Sequence, residues 1–138
     1  PESCSEILEG RNILLAEDND LNAEIAEAIL ERAGLKTERV EDGIQCVNRI
    51  MQMPVGTYDV ILMDIQMPKM DGYKATQTIR NLSDQEKACI PIIAMTANAF
   101  EEDKRAAIAA GMNGHIAKPI QVDKLLSILA EMIRQQEN

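Results

Sequence analysis

Val60-Ile61-Leu62-Met63-Asp64-Ile65-Gln66-Met67-Pro68-Lys69-Met70-Asp71-Gly72-Tyr73 holds a strand, a loop and the start of a helix. Four consecutive apolar residues without polar alternation mark a strand covered on both faces, the pattern of a parallel sheet. The run ends on a carboxylate, Asp64. Pro68 and Gly72 then break the chain into a loop. A helical pattern follows from about Tyr73 to Arg80. In open parallel sheets, ligands bind outside the carboxyl ends of the strands. Asp64 is therefore the first candidate for chemistry.

Reading outward, the same unit recurs. Ile13–Ala16 is an unbroken apolar run followed by Glu17 and Asp18. Asn19 or Asp20 caps a helix in which Leu21, Ile25, Ala28 and Ile29 share a face, and Gly34 ends it. Residues 35–40 read as a more polar strand, and Ile44, Val47, Ile50 and Met51 as a helix face. Ile90–Met95 is a third apolar strand, with Pro91 tolerated at its start, and Thr96 follows. A helix near Glu101–Ala110 ends at Gly111, and a short strand, His115–Ala117, precedes Lys118-Pro119. Val122, Leu125, Leu126, Leu129, Met132 and Ile133 form the stripe of the last helix. Five strands alternating with five helices predict a single-domain α/β fold, a doubly wound parallel sheet covered on both sides. Residues 11–134 form that domain, 1–10 read as a polar linker, and 135–138 as a polar tail.

Composition narrows the function classes. The 138 residues suit one domain. Fourteen basic residues against 23 acidic ones give a net charge of −9, which opposes nucleic-acid backbone binding. Tyr58, Tyr73 and Phe100 are the only aromatics, too few for base stacking. The longest apolar run, Ala88–Met95, is eight residues against the roughly 20 of a membrane span, so no direct membrane contact is expected. Cys4, Cys46 and Cys89 are odd in number and lack a CxxC, which fits reduced thiols in the cytoplasm. The chain starts at Pro1 and opens on a polar segment, so a piece of a longer protein is expected; no helix-turn-helix follows its last helix, so DNA binding as a transcription factor is not expected.

Glu17, Asp18, Asp64, Thr96 and Lys118 all follow or end strands. Singly, each has an ordinary use: acids favour helix starts, Asp64 suits a turn, Thr96 a strand end and Lys118 a solvated surface. Together on one rim they make a site. Three carboxylates repel one another, and a hard cation such as Mg²⁺, or alternatively Mn²⁺, relieves that. A lysine and a hydroxyl beside the metal suit a phosphoryl group, with Asp64 as nucleophile. A Mg²⁺-dependent phosphohydrolase uses similar chemistry, but usually with an Asp two residues after its nucleophile. Gln66 stands there and cannot transfer a proton in that way. An interaction module without chemistry is a third reading, and the intact acidic set argues against it.

LLAEDNDLN (14–22), VILMDIQMPKMDGY (60–73), PIIAMTANA (91–99) and GMNGHIAKPI (111–120) carry a resemblance. Over about residues 11–134 the chain resembles receiver domains of two-component response regulators, most of all those of hybrid sensor histidine kinases. The resemblance implies a flavodoxin-like sheet order 2-1-3-4-5. It implies that Asp64 is phosphorylated from a phosphohistidine, with Mg²⁺ held by Glu17, Asp18, Asp64 and the backbone carbonyl of Gln66. Glu17 stands where many members have Asp, so its longer side chain is expected to reach the metal directly or through water. Thr96 would hydrogen-bond the phosphoryl group, Lys118 would pair with it, and the Lys118–Pro119 bond would be cis. His115 occupies a switch position that is often Tyr or Phe, and Gln66 and Asn98 occupy positions that tune dephosphorylation. The signal would pass to the face formed by the last two helices and the last strand. Partners would be a histidine kinase domain and/or a histidine phosphotransfer domain. The domain would only accept and hydrolyse its own aspartyl phosphate, within a hybrid kinase or, alternatively, as a stand-alone regulator.

Overall fold

A computed structural model describes residues 4–97 and 100–137. The elements run α1 (Cys4–Leu8), β1 (Asn12–Ala16), α2 (Asp20–Arg32), β2 (Lys36–Val40), α3 (Gly43–Gln52) and β3 (Val60–Asp64). They continue through α4 (Gly72–Arg80), α5 (Gln85–Ala88), β4 (Ile92–Thr96), α6 (Glu101–Ala110), β5 (Gly114–Ala117) and α7 (Val122–Glu137). The five strands are all parallel, in the order β2-β1-β3-β4-β5, as expected. None of the described helices is long and apolar enough to cross a membrane.

Strand periodicity divides the core. Successive side chains point to opposite faces. Ile13, Leu15, Leu62 and Ile93 therefore pack with Ala26, Leu30, Leu125 and Leu129 of α2 and α7. Leu14, Ala16, Ile61, Met63 and Ile92 pack with Val47, Ile50, Ala75, Ile79 and Ala107 of α3, α4 and α6. β3 and β4 are buried along their whole length, which is why they read as unbroken apolar runs. Short polar side chains start the helices: Asn19, Asp42 and Asp71 accept from the amides of Asn22, Gln45 and Lys74. Gly111 ends α6 in the left-handed region, with φ 108°.

Several details differ from the sequence reading. The polar opening segment carries a helix, α1, because Ile7 and Leu8 bury themselves in the α2–α7 core. Arg11 Nε donates to the Ile7 carbonyl at 3.1 Å and fixes the turn into β1. α5 is a further helix, so the described residues hold seven helices rather than five. It is capped by Asp84 and held from behind by Arg80, which donates to the carbonyls of Ala88 (2.7 Å), Ile90 (2.7 Å) and Gly111 (2.9 Å). β4 starts at Ile92 and takes in Thr96, while buried Pro91 lies just before it and accepts from Ile61 N at 2.9 Å. α4 starts one residue early, at Gly72, because Asp71 caps it. The expected tail is helical through Glu137, since α7 continues past its apolar stripe.

The largest difference lies on α2. Its core face is Ala23, Ala26 and Leu30. Leu21 is 64% exposed and Ile25 46%, so the stripe read as the core face lies largely outward, with Ile29 only half-buried at its edge. Alanines let the helix lie close on the sheet, a role that hydrophobicity alone does not distinguish.

Candidate functional site

The strand register builds the site. Ala16 lies beside Met63, Asp64 beside Met95, and Thr96 beside Ala117. The chain therefore delivers Glu17, Asp64, Thr96 and Lys118 to one edge of the sheet. Glu17 is 1% exposed, Asp64 6% and Thr96 7%, while Asp18 is open to solvent. These residues line a polar cleft of about 280 Å³ together with Asn19, Asn22, Gln66, Tyr73 and Asp103.

Lys118 Nζ lies 2.8 Å from Glu17 Oε1 and 3.3 Å from Asp64 Oδ2. Glu17 Oε2 accepts from the Asn19 amide at 3.2 Å, and Asp64 Oδ1 from the Gln66 amide at 3.3 Å. One carboxylate oxygen from each of Glu17, Asp18 and Asp64 falls within 4.8 Å of the others. The backbone carries these side chains firmly. Glu17 N donates to Val40 O at 3.0 Å, Ile65 N to Met95 O at 3.2 Å, and Lys118 N to Thr96 O at 2.8 Å. Gly72 closes the loop behind Asp64: a Cβ there would collide with the Asp64 carbonyl oxygen, and its amide donates to Ile65 O at 2.8 Å.

The electrostatics follow from crowding. Burial, and after it the Glu17 carboxylate, push the Asp64 carboxyl up to about 7. Burial opposes ionisation of Glu17 as well, but hydrogen bonding with Asp64, Lys118 and the Asn19 amide outweighs it and holds that carboxyl below its usual range. Burial also opposes the Lys118 charge, and its bonds to Glu17 and Asp64 outweigh that. One ammonium thus serves two buried carboxylates and leaves an excess of negative charge. A divalent cation fits this donor set, since its ligands are all oxygen and the unmet charge is negative.

The other expected residues are distributed as follows. The Lys118–Pro119 peptide is cis. Gln66 lines the cleft. His115 pairs with Ala94 near the start of β5, is half-buried, and is not among the lining residues. Asn98 lies outside the described residues. Sequence reading missed Arg39, at the carboxyl end of β2, which donates to the Glu17 carbonyl. Its place near the end of a parallel strand was the available signal. A second cavity of about 400 Å³, lined by Ile50, Met53, Tyr58, Cys89 and Ile90, opens at the amino ends of the strands, away from this chemistry.

Comparison with known proteins agrees with this architecture. The chain is 37% identical over 125 residues to a peroxide stress-activated histidine kinase of Schizosaccharomyces pombe, covering 90% of this chain and 8% of that protein. It is 39% identical over 117 residues to the signal transduction histidine-protein kinase BarA of Escherichia coli, covering 85% of this chain and 12% of BarA. The chain therefore spans only a small part of these relatives. Among solved structures, the receiver domain of a Pseudomonas aeruginosa sensor histidine kinase, with magnesium coordinated in its active-site cleft, matches at 42% identity and TM-score 0.81. That match covers 91% of this chain and 98% of the other. A Saccharomyces cerevisiae response-regulator receiver, crystallised with a histidine phosphotransfer protein, matches at 28% identity and TM-score 0.83 over 93% and 92% of the two chains. The family model for the response regulator receiver domain matches residues 13–130, and with the sheet order and the strand-end site described above, the chain belongs to that family, the receiver domains of two-component phosphorelays.

Proposed function

We propose that Asp64 accepts a phosphoryl group from a phosphohistidine, with Mg²⁺ held by Glu17, Asp18, Asp64 and the backbone carbonyl of Gln66. The observation that carries this reading is the convergence of Lys118 on Glu17 and Asp64, at 2.8 and 3.3 Å, at the end of a parallel sheet. The magnesium in the Pseudomonas aeruginosa receiver supports the choice of ion. Bound Mg²⁺ would neutralise charge on the transferring phosphoryl oxygens. An Asp64 carboxylate oxygen attacks phosphorus in line. The phosphorus–nitrogen bond breaks, and its electron pair returns to the imidazole of the donor. Lys118 balances the charge brought in, and the Thr96 hydroxyl donates to a phosphoryl oxygen. Water later cleaves the acyl phosphate, at a rate tuned from positions 66 and 98.

The phosphoryl dianion draws Thr96 and Lys118 toward it. That movement shifts a two-state equilibrium on the face of α6, β5 and α7, where His115 sits. The donor is a histidine kinase domain or a histidine phosphotransfer domain, and the parent protein is a cytoplasmic-facing hybrid kinase. Exposed Leu21 and Ile25 flank the cleft residue Asn22 along α2, Ile25 shares an apolar groove with Val122 of α7, and together they give a helical donor an apolar seat. Intact mass after treatment with acetyl phosphate tests the chemistry. A Mg²⁺-dependent gain of about 80 Da, absent from Asp64→Asn, is expected. An equal gain in Asp64→Asn would overturn the assignment.

A further inference from the structure

We infer that Arg39 is a positioning residue for the acidic pair, fixing the loop that presents Asp18 to the cation; this rests on the Mg²⁺ reading above. Arg39 belongs to β2, the edge strand, and its position aligns with Leu15 of β1. Its Nε donates to the Glu17 carbonyl at 3.0 Å, and its Nη1 pairs with Asp20 Oδ1 at 2.9 Å. Glu17 is the residue after β1, and Asp20 is the first residue of α2. The guanidinium therefore bridges the two ends of the turn and brackets Asp18 and Asn19. Glu17 is gripped from β2 on both sides of its backbone, since its amide also donates to Val40 O at 3.0 Å.

Two observations show that the Asp20 ion pair alone does not account for an arginine here. The Asp20 side chain is 81% exposed, so its pairing with Arg39 is one that water weakens. The third arm, Nη2, is buried without a partner. Burying an unpaired donor costs free energy that an apolar residue at this position would avoid. A planar fork explains both features, because only arginine reaches the carbonyl and the carboxylate at once from a fixed plane. Lysine offers one point of contact.

The sign of the effect distinguishes positioning from electrostatics. A cation beside an acidic cluster opposes metal binding, so removing its charge alone would tighten Mg²⁺. Loss of positioning weakens Mg²⁺ instead, as removal of a group that orients a metal ligand does. The test is Mg²⁺ titration by calorimetry of the wild type, Arg39→Lys, Arg39→Met and, as a control, Arg49→Met. Thermal melts are recorded for each. Arg49 of α3 makes a two-point bond to Glu38 of β2, at 2.6 and 2.8 Å, and neither residue lines the cleft. Arg39→Lys and Arg39→Met are expected to weaken Mg²⁺ about 10-fold. Arg49→Met is expected to lower the melting temperature and leave Mg²⁺ affinity unchanged. Unchanged or tighter Mg²⁺ binding in both Arg39 variants would overturn the inference while leaving the Mg²⁺ reading intact. An equal weakening in Arg49→Met would also overturn it, by making the effect one of general stability. A wild type that binds no Mg²⁺ would instead remove the reading on which it rests.

Discussion

Lys118 and Glu17, 101 positions apart, are joined by a 2.8 Å charged hydrogen bond across the carboxyl edge of the sheet. The lysine thereby occupies a carboxylate that we propose as a ligand of the cation. Lys118→Met is therefore expected to bind Mg²⁺ more tightly than the wild type, because no ammonium competes for Glu17. It is also expected to take up phosphate from acetyl phosphate on the order of 100-fold more slowly, since the charge delivered to Asp64 is left unbalanced. Calorimetry and time-resolved intact mass read the two effects separately. A fall in both would mean that Lys118 serves mainly to hold the site together.

Asp64 makes stability depend on pH in metal-free protein. Its folded-state carboxyl is raised to about 7 from an ordinary 3.8, so the folded state favours the proton. Stability from this group is complete below the ordinary value and is lost as pH rises toward 7. Asp64→Asn should therefore melt higher than the wild type at pH 8 in EDTA, by about 1 kcal/mol or more, the worth of one pKa unit. The gap should close near pH 4. Thermal melts across that range check both ends, and a gap that grows on acidification would contradict the sign.

Gly72 constrains the backbone of Asp64, the proposed nucleophile. A Cβ there meets the carbonyl oxygen of Asp64 and the Cα of Ile65, which are backbone atoms that cannot turn aside. Gly72→Ala is expected to cost about 1–3 kcal/mol in urea unfolding. Its phosphorylation should also slow, because relief of the clash moves Asp64. An alanine variant of wild-type stability would show that the loop yields.

Leu8 is fully buried, and Ile7 is 5% exposed. Leu8→Ala is expected to destabilise the domain by about 2–5 kcal/mol, the range for a buried leucine. A polar linker at this place would give no change in denaturant midpoint.

The alternation of apolar runs with helical spacing was enough to read the sheet, because β3 and β4 are buried on both faces and carry no polar residue before their ends. Asp64 was legible for the same reason, marking where such a strand stops, whereas Lys118 follows the short, half-buried β5 and was legible from its place after that strand. Leu21 and Ile25 misled because periodicity reports that a stripe exists and not which side faces the sheet. Ala23 and Ala26 hold the inner side by being small. Ile7 and Leu8 were too short a run to outweigh their polar neighbours. Arg39 acts on the turn through a backbone carbonyl, and no residue type in the turn announces such a bond.

The short opening helix also governs reach. Five residues wound as α1 advance only about 7 Å, against about 17 Å if extended. A domain joined ahead of Cys4 would thus be tethered at a wall of the core, on a leash roughly 10 Å shorter than a polar linker of the same length allows. A shorter leash confines the volume in which a linked phosphoryl donor wanders. Where it still spans the distance to Asp64, it raises the donor's effective concentration there.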